Sequence, residues 1–195
     1  MKMTLKQRLL KLAYPLFMLY SRVSQYEPVL SNEKNAAPVQ SIYDLNITLN
    51  NGETVSLRQF AGKKILLVNT ASDCGYTDQY NELQQLYSRF QNRVEVIGFP
   101  ANDFRQQEKG TDEQIAEFCR VNYGVTFPLA KKSVVIKSPD QNPVFRWLSD
   151  KNLNGWNDKE PSWNFSKYLV DEQGMLTHYF DPAVSPMSKD VLSLL

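Results

Sequence analysis

The sequence predicts an α/β fold, a mixed central sheet flanked by helices and entered through an N-terminal β-hairpin. Three observations carry this expectation. Lys64–Thr70 (KILLVNT) and Val94–Phe99 (VEVIGF) are nearly continuous apolar runs, as expected of strands buried on both faces. A helical pattern from Asp78 to Phe90, through Leu83, Leu86 and Tyr87, fills the interval between them, so the unit is βαβ with parallel strands. The remaining strand signals are short alternating runs joined by turn residues, which pair antiparallel.

Residues 1–26 differ in character from the rest. Leu5, Leu9, Leu12, Leu16 and Leu19 recur at helical spacing with Lys and Arg between them, which suits an amphipathic helix on an anionic membrane surface. The apolar stretch Leu9–Tyr20 falls short of the roughly 20 residues a bilayer span needs. An export signal and a helix packed on its own domain remain the alternatives, although no clear small-x-small cleavage site follows Tyr20. Residues 27–38 (EPVLSNEKNAAP) are polar, Pro-bounded and aperiodic, and read as a linker to a single domain over 39–195. Within that domain, alternating runs on either side of Asn50-Asn51-Gly52 predict the hairpin. After the βαβ unit, Thr111-Asp112-Glu113-Gln114 is a capping box and Gly124 a helix stop. Ser133–Ile136 reads as a short strand and Pro143–Leu148 as a short helix. Phe165–Val170 and Met175–Tyr179 form a hairpin around Asp171–Gly174, and Ser188–Leu195 reads as a closing helix.

Composition narrows the function. Lys and Arg number 22 against 21 Asp and Glu, a net charge of +1, which excludes the basic footprint of a nucleic-acid binder. Residues 1–30 carry +4 of this, leaving the remainder at −3. Two cysteines and one histidine cannot form a zinc site of the usual kind, and no metal or other cofactor is expected. Cys74, in ASDCGYTDQY, ends a strand and precedes a helix. A thiol there lies near the positive end of a helix dipole, which favours thiolate; the alternative is a buried cysteine acting as a small hydrophobe. Cys119 follows 45 residues later in EQIAEFCRVNYGVTFP, sharing a helical face with Ile115, Phe118 and Asn122, as a packed core cysteine would. His178, in the final hairpin, reads as an ordinary strand residue.

VNTASDCGYT resembles the nucleophile block of the glutathione peroxidase family, GFPANDFRQQEKG its second block and WNFSKYLVDEQG its third. The blocks occur in the family order between Ser41 and Leu195. The resemblance implies a thioredoxin-like fold and reduction of hydroperoxides by a cysteine. It places the peroxidatic residue at Cys74, with Gln107, Trp163 and Asn164 as its partners. Amide and indole N–H donors stay neutral, so they can stabilise a thiolate and a departing oxyanion without titrating. Cys119 resembles the cysteine of thioredoxin-dependent members, which resolves the sulfenic acid as an intramolecular disulfide. The expected reductant is therefore thioredoxin, with glutathione the alternative. The 20 residues from Pro143 to Trp163 are too few for the insertion of tetrameric, glutathione-using members, so a monomer with an open site is implied. The chain departs from the family at Ala101, where many members have Cys, and at Asp103, where Gln is frequent and a carboxylate would change polarity near the site. A peroxide sensor passing oxidation to a partner protein would use the same cysteines. A thiol–disulfide oxidoreductase is disfavoured because no C-x-x-C occurs. The expected location is the cytoplasm, with membrane association or export through residues 1–26 left open.

Overall fold

The computed structural model describes residues 27–195; the expectations for the N-terminal segment lie outside the described residues. Seven strands form two sheets. β1 (Val29–Ser31), β4 (Lys64–Thr70), β5 (Val94–Pro100), β6 (Lys167–Val170) and β7 (Leu176–Phe180) make a five-stranded sheet in the order β1-β7-β6-β4-β5. β2 (Asn46–Thr48) and β3 (Thr54–Ser56) make the separate hairpin. β4 pairs parallel with β5, and the other pairings in the large sheet are antiparallel.

The apolar runs explain why this sheet sits at the centre. Ile65 and Leu67 of β4 face one core with Ile97, Phe99, Tyr168 and Val170, while Leu66 and Val68 face a second with Val94, Val96 and Leu169. Alternate side chains of one strand thus feed two cores, so both faces must be covered. Helices α1 (Gln79–Phe90) and α2 (Asp112–Tyr123), with Val191 of the short α5 (Lys189–Leu192), cover the second face. The first is covered by α3 (Pro143–Leu148), the 3₁₀ turns Ile42–Asp44 and Leu57–Phe60, and the β2–β3 hairpin. The capping box at Thr111 forms with both of its hydrogen bonds, and Gly124 ends α2 in the left-handed conformation.

Three expectations need correction. Residues 27–38 are docked on the domain. Val29–Ser31 add an edge strand to β7, Asn32 bonds Ala36 through both atoms of its amide, and the Val39 N–H donates to Leu153 O at 2.9 Å. Three residues of strand are too few to show a period, which is why the segment reads as linker. Ser133–Ile136 makes only an isolated bridge, Val134 to Gln141, because side chains replace the ladder: Asp103 accepts from the Val135 N–H at 2.7 Å and Gln141 Nε2 donates to Val135 O at 3.1 Å. The closing helix shrinks to Lys189–Leu192, and an unforeseen turn of helix, α4, spans Lys151–Asn154.

Gly155 ends α4 at φ +97°, and a Cβ there would run into the Ala37 carbonyl oxygen. Gly124 is also left-handed, but open space surrounds it. Gly155→Ala should therefore cost on the order of 3 kcal/mol and Gly124→Ala only about 1 kcal/mol in urea unfolding, because backbone strain and collision add at the first site alone. Equal losses would mean that residues 36–37 do not rest on α4.

Candidate active site

Sheet topology brings three loops together. β4 and β5 run parallel and β6 runs against them, so the C-terminal ends of the first two and the N-terminal end of the third share one edge of the sheet. Cys74 lies in the loop after β4, Gln107 in the loop after β5, and Trp163 and Asn164 just before β6.

Buried amides fix the loops to one another. Asn69, fully buried in β4, donates through Nδ2 to Trp163 O at 3.0 Å and accepts at Oδ1 from the Ser166 N–H at 3.0 Å. Its backbone carbonyl takes the Phe165 N–H at 2.6 Å and its own N–H donates to Ser166 O. Phe165, gripped in this way, adopts φ +68°, a left-handed conformation that an aromatic residue holds only under constraint. On the other side, the Asp73 N–H donates to Gln107 O at 3.0 Å, tying the first loop to the second. Asn164 Nδ2 then donates to Gln107 Oε1 at 2.9 Å, joining the second loop to the third. Trp163 packs on Phe104 with ring centroids 5.5 Å apart, and the Arg105 guanidinium lies over its ring at 5.6 Å.

Cys74 is 1% exposed. Burial pushes its thiol pKa up, against the pull of hydrogen bonds from the Tyr76 backbone, the Trp163 and Asn164 side chains and the Gly75 backbone. The helix dipole does not decide the balance as expected, because α1 begins at Gln79 and the dipole's influence fades within a turn. Trp163 packs against the cluster that contains Cys74, the Trp163 and Asn164 side chains both lower the Cys74 pKa, and Gln107 is linked to them through Asn164. Asn164 Oδ1 is buried and accepts no hydrogen bond, leaving an acceptor on the amide that meets the thiol.

Cys119 is also a free thiol, fully buried on the inner face of α2 beside Tyr80, and burial pushes its pKa up to about 12. Glu108 is the residue that sequence reasoning passed over. It is 1% exposed, accepts from Ser72 Oγ at 2.9 Å, and its carboxyl is pushed up to about 7 by burial. A groove of about 260 Å³ runs past Ser72, Gln107 and Glu108 to Ile115 and Phe118 of α2. A larger crevice, lined by Lys137, Arg146, Asp150 and Asp158, shares none of these residues. The Asp103 carboxylate, one of the departures from the family, accepts the Val135 N–H at 2.7 Å. Among the described residues no group of three or more side chains could hold a metal ion, and no helix is long and apolar enough to cross a membrane.

The chain is similar to known proteins. The family model "Glutathione peroxidase" matches residues 42–149. A "Glutathione peroxidase homolog BsaA" of Staphylococcus epidermidis is 42% identical over 149 residues, 76% of this chain and 93% of that protein. "Glutathione peroxidase-like peroxiredoxin 2" of Saccharomyces cerevisiae is 43% identical over 151 residues, 77% of this chain and 93% of that one. "Hydroperoxy fatty acid reductase gpx1" of Synechocystis is 42% identical over 165 residues, 80% and 96% of the two chains. Among solved structures, T. cruzi GPX1 superposes with TM-score 0.59 at 27% identity, covering 80% of this chain and 96% of its own. A DsbF homologue from Corynebacterium diphtheriae gives TM-score 0.60 at 15% identity over 87% of this chain and 94% of its own, which shows the fold alone. By sequence and by its thioredoxin-like fold, the chain belongs to the glutathione peroxidase family and is a peroxidase.

Proposed function

We propose that the protein reduces hydrogen peroxide and organic or lipid hydroperoxides by a cysteine cycle and is recycled by a thioredoxin-type dithiol. The observation that carries this reading is that the loops of Gln107, Trp163 and Asn164 are tied to one another and to the loop of the buried Cys74 thiol, whose pKa the Trp163 and Asn164 side chains lower. Cys74 thiolate attacks the distal peroxide oxygen, the O–O bond breaks, and the alkoxide or hydroxide leaves with a proton as alcohol or water. Cys74 is oxidised to sulfenic acid. Trp163 and Asn164 hold the thiolate charge and then meet the negative charge that moves onto oxygen; both donors stay neutral throughout. Gln107 orients the Asn164 amide by accepting one of its two N–H groups and leaves the other for sulfur. The groove beside Gln107 supplies room for the organic part of a substrate. A fatty-acid hydroperoxide fits this reading, which the name of the Synechocystis relative supports.

Cys119 then condenses with the sulfenic acid. Its thiol loses a proton, the S–S bond forms and water departs, and an external dithiol reduces the disulfide by exchange. A thiol held up to about 12 is a poor nucleophile at neutral pH, so the step requires α2 to open and expose it. The name of the yeast relative, a peroxiredoxin, supports a dithiol in preference to glutathione.

Cys74→Ser should abolish peroxide reduction in a coupled thioredoxin assay; retained activity would remove Cys74 from the mechanism. Trp163→Ala and Asn164→Ala should each slow Cys74 oxidation by roughly 10²- to 10³-fold, the loss of one preorganised donor. Each should also move the thiol titration to higher pH, since each donor lowers that pKa. Unchanged rates in both variants would show that the donors do not act on the reaction. For Cys119 the reading is mass spectrometry after one equivalent of peroxide. A Cys74–Cys119 bridge with faster amide exchange across 111–123 is expected. Sulfinic acid at Cys74 beside a free Cys119 would mean that the reductant attacks Cys74 directly.

A further inference from the structure

Lys167 is fully buried in β6, and no step of the proposed mechanism uses it. Its ammonium donates to Phe165 O at 2.7 Å, to Gln79 Oε1 at 2.9 Å and, at 3.3 Å, to Pro182 O. All three acceptors are neutral. The carboxylates that act on it, Asp181 after β7 and Glu82 on α1, are engaged by Ser162 Oγ and Ser185 Oγ respectively. A charge held by neutral carbonyls inside a core is expensive, and burial accordingly pulls the Lys167 pKa down to about 7. An apolar side chain of the same length would fill the slot without that penalty but would leave the Phe165 and Gln79 acceptors without a donor, so the reason for lysine lies in what it joins.

The three acceptors supply the reason. Phe165 is the left-handed residue that follows the Trp163–Asn164 pair, and Asn69 takes its N–H but leaves its carbonyl. Gln79 is the first residue of α1, five positions after Cys74, and its own Nε2 donates to Pro182 O at 2.6 Å. One ammonium therefore joins the turn that carries the N–H donors to the start of the helix that follows the thiol. We propose that Lys167 is a positioning residue of the peroxidase site, which sets the spacing between Cys74 and the Trp163 and Asn164 donors by tying the Phe165 carbonyl to Gln79. This rests on the assignment of Cys74, Trp163 and Asn164 given above.

The test uses the full chain with Lys167→Met, and with Gln79→Leu as a second variant that cuts the α1 end of the tie together with the Gln79–Pro182 hydrogen bond. Three quantities are read: the urea midpoint, the oxidation rate of Cys74 by hydrogen peroxide, and the pH profile of Cys74 alkylation by iodoacetamide, separated from Cys119 by peptide mass spectrometry. In folded Lys167→Met, oxidation should slow by about tenfold, part of the effect of losing a donor outright, independent of any change in the midpoint. The alkylation profile should shift to higher pH. Gln79→Leu should shift both in the same direction by less. A merely structural lysine would leave the rate and profile of the folded protein unchanged whatever the midpoint, and that result overturns the proposal. If Lys167→Met does not fold, a wild-type rate and profile in Gln79→Leu overturns it equally. Alkylation needs no peroxide chemistry, so a wild-type protein inert to peroxide would sink the functional reading and leave the Lys167 tie decided by the alkylation profile.

Discussion

The hydrogen bonds of Asn69 are the constraint on which the site depends. A polar amide in the middle of an apolar strand is unfavourable to bury unless each of its groups finds a partner. Here both ends do, on Trp163 O and on the Ser166 N–H, and the backbone of the same residue takes the Phe165 N–H and reaches Ser166 O. Four hydrogen bonds from one residue bend the chain into the left-handed turn at Phe165 and send Trp163 and Asn164 over the edge of the sheet. Without that turn the two donors would continue the line of β6 and miss the loop after β4.

The electrostatics follow from the same enclosure. A buried thiol is held towards its neutral form, and neutral N–H donors from Tyr76, Trp163, Asn164 and Gly75 pull the other way. A cation would stabilise the resting thiolate more strongly, yet its field would persist as charge moves from sulfur to the departing oxygen. Oriented amides can serve both positions with little reorganisation. Glu108, under the loop at Ser72, has its carboxyl pushed up to about 7 by the same burial, so it is about half ionised at neutral pH and largely uncharged below it.

Much of this was legible in the sequence, and the failures share a cause. Long, uniform signals read correctly: the apolar runs of β4 and β5, the capped α2, and Pro143 opening α3. Short segments whose partners lie far along the chain did not. Val29–Ser31 become a strand only because β7 offers an edge some 150 residues later, and Ser133–Ile136 lose their strand because Asp103 and Gln141 bind them first. The three motif blocks pointed to Cys74, Gln107, Trp163 and Asn164, which the fold brings together. The residues that hold them were present in those blocks without being read. Asn69 stands out as the amide in KILLVNT, and Lys167 as a charge in an otherwise apolar strand. Polar residues in buried runs were the signal available.

If Asn69 shapes the site, removing its amide must disable the chemistry while leaving the sheet intact. The direct measurement is stopped-flow oxidation of Cys74 by hydrogen peroxide in Asn69→Leu, with circular dichroism confirming the fold. A rate reduced by about 10²-fold or more, comparable to loss of a catalytic donor, is the expected result. Oxidation at the wild-type rate in a folded Asn69→Leu protein would contradict the account, because Trp163 and Asn164 would then reach the thiol without the turn that Asn69 imposes.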